Sequence, residues 1–399
     1  MSSPSHKTSI PLNAAAVVMA AALGLAAAPS MAGAYHDAHV WFGAVDHGGA
    51  VYAMTNSSKG NEIRVYHRAS NGRLRALPFA TVATGGLGGG DNAAVDPLGS
   101  QNALVFDAAQ KMLFAVNAGD NTVAAFRPTL GLRLQRTALV ASGGYIPVSV
   151  AVRGDRLYVL NAGGSGSVAT FDIGAHGQLT LLGTLDLGQS HSTTIPFDNV
   201  MAPGQVGVDA LDRQLIVTNG GTQQLFTAEL DDDGVPTAPL TATASPGVVP
   251  FAFDITPYGD VLVAEAGSGS VTSYQPPALN QPLTVTTATV ATDQAATCWI
   301  VAGDNGFAYT ANTGSDTISQ FSYARNGTLT LTQQVAATAD SKPTDMTLAG
   351  HGKFLYTLDA GSGSISGFAI DATTGALSAV STQGGLPAAG IQGIAAFDY

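Results

Sequence analysis

Charged residues are scarce in this 399-residue chain, and cysteine is almost absent. Asp, Glu, Lys and Arg make up 11% of the residues, whereas about 25% is usual for a soluble domain. The single cysteine, Cys298, excludes an intramolecular disulfide and a zinc site built on several thiolates. Its apolar surroundings, Ala-Thr-Cys-Trp-Ile, favour a small core residue over a nucleophile. The surface must therefore depend on Ser, Thr, Asn, Gln and Gly, as in many β-rich exported proteins.

Basic residues are also few and scattered. Lys and Arg number 16 against 28 Asp and Glu, which gives a formal net charge of −12. No basic cluster is longer than the pair Arg73 and Arg75, so nucleic acid and anionic membrane surfaces are not expected partners. Glycine and proline are frequent, with 48 and 19 residues, but they stay below the proportion typical of low-complexity disorder. We therefore expect the chain to fold.

Residues 1–34 have the pattern of a secretory signal peptide. A positively charged start precedes the apolar run AAAVVMAAALGLAAA at 14–28. This run is shorter than the roughly 20 residues that span a bilayer, and no cysteine follows it that would carry a lipid. Small residues allow cleavage after Ala32 or, as we prefer, after Ala34. We expect a periplasmic or secreted protein without a membrane anchor, in which residues 35–399 form a single domain.

Short β-type runs that end in an Asn or an acidic residue recur seven times, at intervals of about fifty residues. Their last residues are Asn56, Asn117, Asn161, Asn219, Glu265, Asn312 and Asp359. A Gly-rich or polar turn follows each run, and then a second run such as VAAFRP or ISQFSY shows the period-2 pattern of half-buried strands. We interpret the seven end residues as turn-initiating side chains that bond their own backbone.

Two further runs complete each repeat. Hairpin signals such as NGRL at 71–74 and NGTL at 326–329 lead to an outer run, because Asn-Gly supplies the positive φ angles of tight turns. An inner run precedes each Asn-terminated run except the first, as in PVSVAV at 147–152. Four-stranded units at this period predict an all-β, seven-bladed β-propeller with antiparallel blades, and an eight-bladed ring or a solenoid is the alternative. The first blade lacks an inner run, so we predict that the C-terminal run at 391–399 completes it and closes the ring.

These repeats resemble a known family. The blade pattern SQNALVFDAAQKMLFAVNAGDNTVAAF at 100–126, with its repeats through LYTLDAGSGSISGF at 355–368, resembles the lactonase family of seven-bladed propellers. That family includes 6-phosphogluconolactonase-like and carboxymuconate-cyclising enzymes, and the resemblance covers residues 40–399. It implies a Pro-His-x-His segment at the start of an inner strand, with Arg and Glu nearby in the central funnel. The matching segment at 203–206 reads Pro-Gly-Gln-Val, so the family's general acid or base is carried over to no residue of this chain.

Inner strands line the channel of a propeller, so aligned inner-strand residues are our candidates for ligand binding. The third residues of the inner runs are Ala103, Ser149, Gln205, Ala252, Trp299, Asp345 and Gln392, and the polar and aromatic ones are the candidates. Two long insertions, 84–100 and 186–202, interrupt the regular repeat and add Asp91, Asp96 and His191. We predict that a small ligand binds where these groups converge.

Two functions remain open at this point. The first is an exported scaffold that binds a small polar ligand or a protein partner at its funnel face. The second is a hydrolase of lactones or related esters with a non-standard site, with Asp345, His191 and Glu265 as candidate catalytic residues beside Asp91 and Asp96. The ring of third residues offers no Arg to stabilise an oxyanion and no His to shuttle protons. A channel plugged by hydrogen-bonding side chains is the structural alternative, and we expect a monomer without a cofactor.

Histidines cluster near the predicted mature N-terminus. His36, His39 and His47 lie close to Asp37 and Asp46, and such groups can in principle ligate a metal. Their spacing matches no rigid helical or hairpin motif, so we predict no metal site.

The signal-peptide pattern yields a direct test. We expect the exported protein to begin at Tyr35 or at Gly33, because cleavage follows the small residues that precede them. Mass spectrometry of the exported protein checks the mass, and retention of Met1 or of the 14–28 segment would contradict the prediction.

Overall fold

Alternating apolar residues produce the strands that the repeats predict. The computed structural model describes residues 48–90, 95–276, 279 and 281–399. The predicted signal peptide at 1–34 and the histidine cluster at 36–47 lie outside the described residues. Within the described part, the strands form seven separate antiparallel sheets, and these are the seven blades of a β-propeller.

The strands follow the blades in chain order. Blade 1 contains β1 (Gly49–Met54), β2 (Glu62–Arg68), β3 (Leu74–Ala76) and β4 (Val82–Ala83), and blade 2 contains β5 (Leu104–Asp107), β6 (Met112–Asn117), β7 (Thr122–Pro128) and β8 (Leu134–Ala141). Blade 3 contains β9 (Tyr145–Arg153), β10 (Arg156–Gly163), β11 (Ser167–Ile173) and β12 (Leu179–Asp186), and blade 4 contains β13 (Pro203–Val208), β14 (Gln214–Asn219), β15 (Gln224–Glu229) and β16 (Thr241–Ala244). Blade 5 contains β17 (Pro250–Ile255), β18 (Val261–Glu265), β19 (Ser270–Gln275) and β20 (Thr284–Ala291), and blade 6 contains β21 (Thr297–Ala302), β22 (Phe307–Asn312), β23 (Thr317–Tyr323) and β24 (Leu329–Thr338). Blade 7 contains β25 (Pro343–Ala349), β26 (Phe354–Asp359), β27 (Ser364–Ile370) and β28 (Leu377–Gly384), and β29 (Ile394–Asp398) follows it.

Helical structure is limited to the connections. Among the described residues it comprises the short 3₁₀ turns Pro78–Ala80, Leu130–Leu132 and Asn199–Met201. The first of these divides the outer strand of blade 1 into β3 and β4, because Pro78 has no N–H to continue the ladder. In the part of the chain that the structure describes, no helix is long and apolar enough to cross a membrane.

The ring is closed by the last strand. β29 pairs antiparallel with β1, with Ala50 opposite Phe397 and Ala53 opposite Ile394. It thus takes the inner position of blade 1, and the predicted closure by the C-terminal run is confirmed. Arg68 is fully buried at this junction and its Nη2 lies 2.8 Å from Asp398 Oδ1. The ion pair joins the third strand position of the blade to β29, where an unpaired buried charge would be costly.

The hydrophobic core lies between neighbouring blades. The second strand of a blade is covered on both faces, and every residue of β1, β6, β14, β18 and β26 is buried. Large side chains such as Phe114, Phe126 and Phe321 fill the space between the sheets. Burying one such side chain contributes roughly 1.5–3 kcal/mol. The apolar residues that alternate along these strands in the sequence are therefore the ones whose packing stabilises neighbouring blades against each other.

Repeated hydrogen bonds also join consecutive blades. Three tyrosines in second strands donate their hydroxyl groups to glycine carbonyls of the hairpin in the next blade: Tyr158 to Gly234, Tyr309 to Gly375, and Tyr356 to Gly72. The last of these joins blade 7 to blade 1 at 2.6 Å and supports the closure. Each of the three glycines has a positive φ, as their hairpin signals predict.

The end residues of the second strands correct one interpretation. All seven are fully buried, and Asn219 is the one whose side chain bonds the backbone of its own turn, accepting from the Thr222 N–H at 3.0 Å. The others bond different partners; Asn117 Oδ1, for example, accepts from Asn61 Nδ2 at 3.0 Å and from Thr84 Oγ1 at 2.6 Å. The turn interpretation is therefore wrong for six of the seven. Their side chains lie between packed elements, where a buried amide or carboxylate needs partners that its own turn does not supply.

Ring closure can be tested by truncation. Deleting residues 391–399 removes β29, so β1 loses its inner partner and the apolar side chains beneath it become exposed. We expect the truncated chain to lose a single cooperative unfolding transition, measured by circular dichroism during heating. Removing Tyr399 alone is the control, because all of β29 then stays paired. A 391–399 deletion that melts within about two degrees of the full chain would overturn this role, since a lost strand should cost far more than that.

Candidate functional site

One face of the ring collects the connections that depart from the repeat. Because neighbouring strands are antiparallel, the inner strand of a blade begins at the same edge where its second strand ends. The outer-to-inner connections and the turns after the second strands therefore share one face, which we call the funnel face. Both insertions, 84–100 and 186–202, are outer-to-inner connections and lie on this face.

The first insertion fills the centre of the ring. Residues 96–101, which we call the channel segment, bond inner strands of several blades. The carbonyl oxygen of Ser100 accepts from Trp299 Nε1 at 2.8 Å and from Gln392 Nε2 at 2.6 Å. Ser100 Oγ donates to the Val148 carbonyl at 2.8 Å. Gln101 continues across the ring and bonds blades 5 and 6. The channel is thus plugged by the chain itself.

The inner strands present their third residues to the channel through irregular pairing. Register shifts occur between Pro203 and Gln205, between Thr297 and Trp299, and between Pro343 and Met346. Such bulges bend a strand and redirect its side chains, often near functional sites. Here each shift falls at or beside a residue that the sequence aligns, namely Gln205, Trp299 or Asp345.

The predicted ligand-binding residues of the inner strands are all buried. These are Ser149, Gln205, Trp299, Asp345 and Gln392, and none exposes more than 2% of its surface. Their polar atoms mostly bond backbone groups: Gln205 Oε1 accepts from the Phe253 N–H at 2.7 Å and Gln205 Nε2 donates to the Phe253 carbonyl at 2.9 Å. The structure therefore brings Trp299 and Gln392 together at the Ser100 carbonyl and leaves all five side chains buried.

Two carboxyl groups lie in this buried region. Asp345 Oδ1 accepts from the Met346 N–H at 2.8 Å, while Asp345 Oδ2 has no hydrogen-bond partner among the described residues. Burial raises the pKa of Asp345 well above its ordinary value, and the nearby Asp96 carboxylate raises it further. Burial of its carboxyl oxygens also raises the pKa of Asp96 to about 7, although N–H groups of Gly99 and Leu98 oppose this rise. Both groups favour the neutral, protonated form more strongly than an ordinary aspartate.

Glu265 belongs to a separate structural cluster. Its carboxylate is fully buried and accepts from Ser245 Oγ, Ser270 Oγ, Thr272 Oγ1 and the Gly247 N–H at 2.6–2.9 Å. These contacts join the connection between β16 and β17 to the start of β19. They leave the carboxylate enclosed by hydroxyl groups of that connection and of β19.

An open cleft lies beside the second insertion. It has a volume of about 810 Å³ and is bounded by the insertion and the turn after β14. Its lining comprises Gln189, Ser190, His191, Ser192, Pro196, Phe197, Asp198, Met201, Gly221 and Thr222. The insertion is held in place by backbone bonds to the turn of blade 3, such as His191 N–H to the Gly164 carbonyl at 2.8 Å.

His191 is the predicted site residue in this cleft. The residue is half-buried, and its Nε2 atom is buried without a hydrogen-bond partner in the described chain. Burial lowers the pKa of His191, while the nearby Asp198 carboxylate acts in the opposite direction. The imidazole is therefore neutral at pH 7, and one ring nitrogen can accept a hydrogen bond.

A smaller cavity of about 240 Å³ lies among the inner strands of blades 2–5. It is lined mainly by apolar residues such as Val150, Val206 and Phe253, with Arg153 among the polar ones. Gln205 is the predicted site residue that reaches it. Asp91 lies outside the described residues, and no group of three or more His, Cys, Asp and Glu that could hold a metal occurs in the described chain.

Sequence reasoning missed Ser100 and Gln101 as channel residues. Both belong to the run SQNALVF, which the repeat aligns with the start of an inner strand. The observed strand β5 begins later, at Leu104. The signal that marks this departure is the sequence Asp-Pro-Leu-Gly just before it, where proline and glycine favour a turn over a strand.

Comparisons with known proteins agree with this architecture. The sequence matches the family model described as Lactonase, 7-bladed beta-propeller over residues 90–391. A putative 6-phosphogluconolactonase from Bacteroides fragilis NCTC 9343 superposes with a TM-score of 0.69 at 18% sequence identity, covering 90% of this chain and 99% of the other. A periplasmic gluconolactonase from Pseudomonas aeruginosa gives 0.67 at 18% identity, with 88% and 99% covered. A protein from Lactobacillus plantarum gives 0.68 at 19% identity, also with 88% and 99% covered. A search of curated proteins found no match.

At these identities the solved structures show a shared fold. The family model adds a match in sequence that extends from the first insertion to the residues just before β29. The seven blades of the ring agree with the description of that model. The chain belongs to the lactonase family of seven-bladed β-propellers.

Proposed function

We propose that this protein is an exported, monomeric β-propeller that binds a small polar ligand at its funnel face. The signal-peptide pattern at 1–34 supports export, as does the periplasmic gluconolactonase among the structural neighbours. The cleft beside the second insertion supports ligand binding, because ligands usually occupy concave sites with a few well-placed polar groups.

The position of His191 carries this proposal. Its buried Nε2 atom has no partner in the described chain, so a ligand hydroxyl or carbonyl group would satisfy it. Amide and hydroxyl groups of Gln189, Ser190 and Thr222 line the same cleft, and Phe197 adds an apolar surface. The Asp198 carboxylate disfavours anions there. We therefore expect an uncharged ligand that carries hydroxyl or carbonyl oxygens.

A hydrolase of lactones or related esters is the second candidate. Of its candidate residues, Asp345 and Glu265 are buried, Asp96 lies in the channel segment, and His191 borders the open cleft. A neutral His191 with Asp198 nearby suits a general base that activates water. This observation favours His191 over the carboxylates as the residue on which catalysis would depend.

The two candidates share one test at His191. We expect His191→Gln to weaken binding of D-glucono-1,5-lactone, measured by calorimetry, by about tenfold, which corresponds to roughly 1.4 kcal/mol. The loss follows because the flexible glutamine side chain must be ordered before it can present a polar atom where the rigid imidazole presents Nε2. Because burial lowers the pKa of His191, any dependence of binding on its protonation should have a midpoint below the ordinary histidine value of about 6.5.

His176→Gln is the matched control, since His176 is exposed at the hairpin between β11 and β12, away from the funnel face. Release of acid from the lactone, followed in a pH-stat, separates the two functions: turnover lost in His191→Gln supports the hydrolase, and binding without turnover supports the scaffold. Equal affinity of His191→Gln and the wild type would remove this cleft from the proposal.

A further inference from the structure

The centre of the channel has the geometry of an occupied binding site. The Trp299 indole N–H and the Gln392 amide N–H converge on a single oxygen atom, the Ser100 carbonyl, at 2.8 Å and 2.6 Å. An indole nitrogen only donates, and the Gln392 nitrogen also only donates, so both donors require an acceptor. Trp299 packs edge-on against Phe251, with ring centroids 5.2 Å apart, and this contact holds the indole in position.

Gln101 makes a contact that any amide could make. Its Oε1 accepts from the Ile300 N–H at 3.0 Å, and its Nε2 donates to the Ile300 carbonyl at 3.0 Å. The side-chain amide therefore pairs with β21 in the way that a peptide group of a neighbouring strand would. Gln205 forms the same kind of pair with Phe253, but from within an inner strand. The channel thus binds amide groups in general and does not require one particular side chain.

Leu98 anchors the channel segment in the main hydrophobic core, but few hydrogen bonds reach the segment from outside the channel. The Asp96 carbonyl accepts a hydrogen bond from Asn199 Nδ2 at 2.6 Å. The Asp96 carboxyl group accepts hydrogen bonds from the Leu98 and Gly99 N–H groups of its own turn. Gly99 has a φ of +61°, and a side-chain carbon there would lie 2.7 Å from the Asn199 carbonyl oxygen. The connection to the second insertion therefore depends mainly on one amide donor and on one close approach of two backbones.

We propose that residues 96–101 act as an intramolecular ligand, and that the donors of Trp299 and Gln392 form a binding site for a neutral carbonyl group of the amide or ester type. When the segment leaves, the Trp299 N–H loses its acceptor, and Gln392 Nε2 keeps only its longer bond to the Thr344 carbonyl at 3.3 Å. A neutral carbonyl satisfies both and avoids placing an anion beside the buried Asp345 carboxyl group. This site differs from the His191 cleft and does not depend on it.

The fluorescence of Trp299 reports whether the channel segment covers it. Trp41→Phe leaves Trp299 as the sole tryptophan, and in this background we compare two weakened variants, Gln101→Ala and Asn199→Ala. The first removes the pairing with Ile300, and the second removes the bond to Asp96 from outside the channel. Gln110→Ala is the control, because it deletes the same kind of amide bond, to the Gly154 carbonyl, away from the channel. Thermal melts identify the variants that remain folded.

We expect Trp299 in Gln101→Ala and Asn199→Ala to become more accessible to acrylamide and to emit at longer wavelength, with no change in Gln110→Ala. The probe is the peptide acetyl-Asp-Pro-Leu-Gly-Ser-Gln-amide, which carries the sequence of the channel segment. Added in excess, it should restore the protection of Trp299 in the weakened variants and leave the Trp41→Phe parent unchanged. Unaltered quenching in the folded variants would show a fixed structural plug and overturn the proposal. Increased quenching that the peptide does not reverse would overturn it as well.

Discussion

The whole ring depends on one pairing, that of β29 with β1. A propeller blade is stable only when its second strand is covered on both edges and both faces, and in blade 1 the inner edge is supplied from the other end of the chain. Arg68 and Asp398 meet at this junction, and Tyr356 bonds Gly72 across it. Because the buried guanidinium needs its carboxylate, the junction favours a correctly registered strand over other ways of covering the edge.

Most of this architecture can be predicted from local sequence patterns. Alternating runs predict the strands, and Asn-Gly and related pairs predict hairpins whose glycines do have positive φ. The spare run at 391–399 predicts the closure because each repeat needs an inner strand. These inferences succeed because strand period and turn chemistry are properties of a few adjacent residues.

The site is less predictable, because its contacts join residues distant in sequence. Alignment of the repeats places Trp299 and Gln392 at the channel, but nothing in their neighbourhood indicates that Ser100 bonds both. Asn117 likewise appears as a turn residue in the sequence, whereas Asn61 and Thr84 are its partners. Loop paths of this kind follow from the packing of the finished ring and have no local pattern.

The channel segment is covalently part of the protein, so a competing molecule must displace a tethered group. A tethered group meets its site at an effective concentration set by the length of its connections, which is about millimolar for short flexible ones. A free molecule with the same intrinsic affinity would reach half occupancy only near that concentration. Competition in the channel therefore depends on the concentration of the competing molecule as well as on its affinity. Molecules present at trace levels leave the channel segment in place unless they bind far more tightly than the segment does.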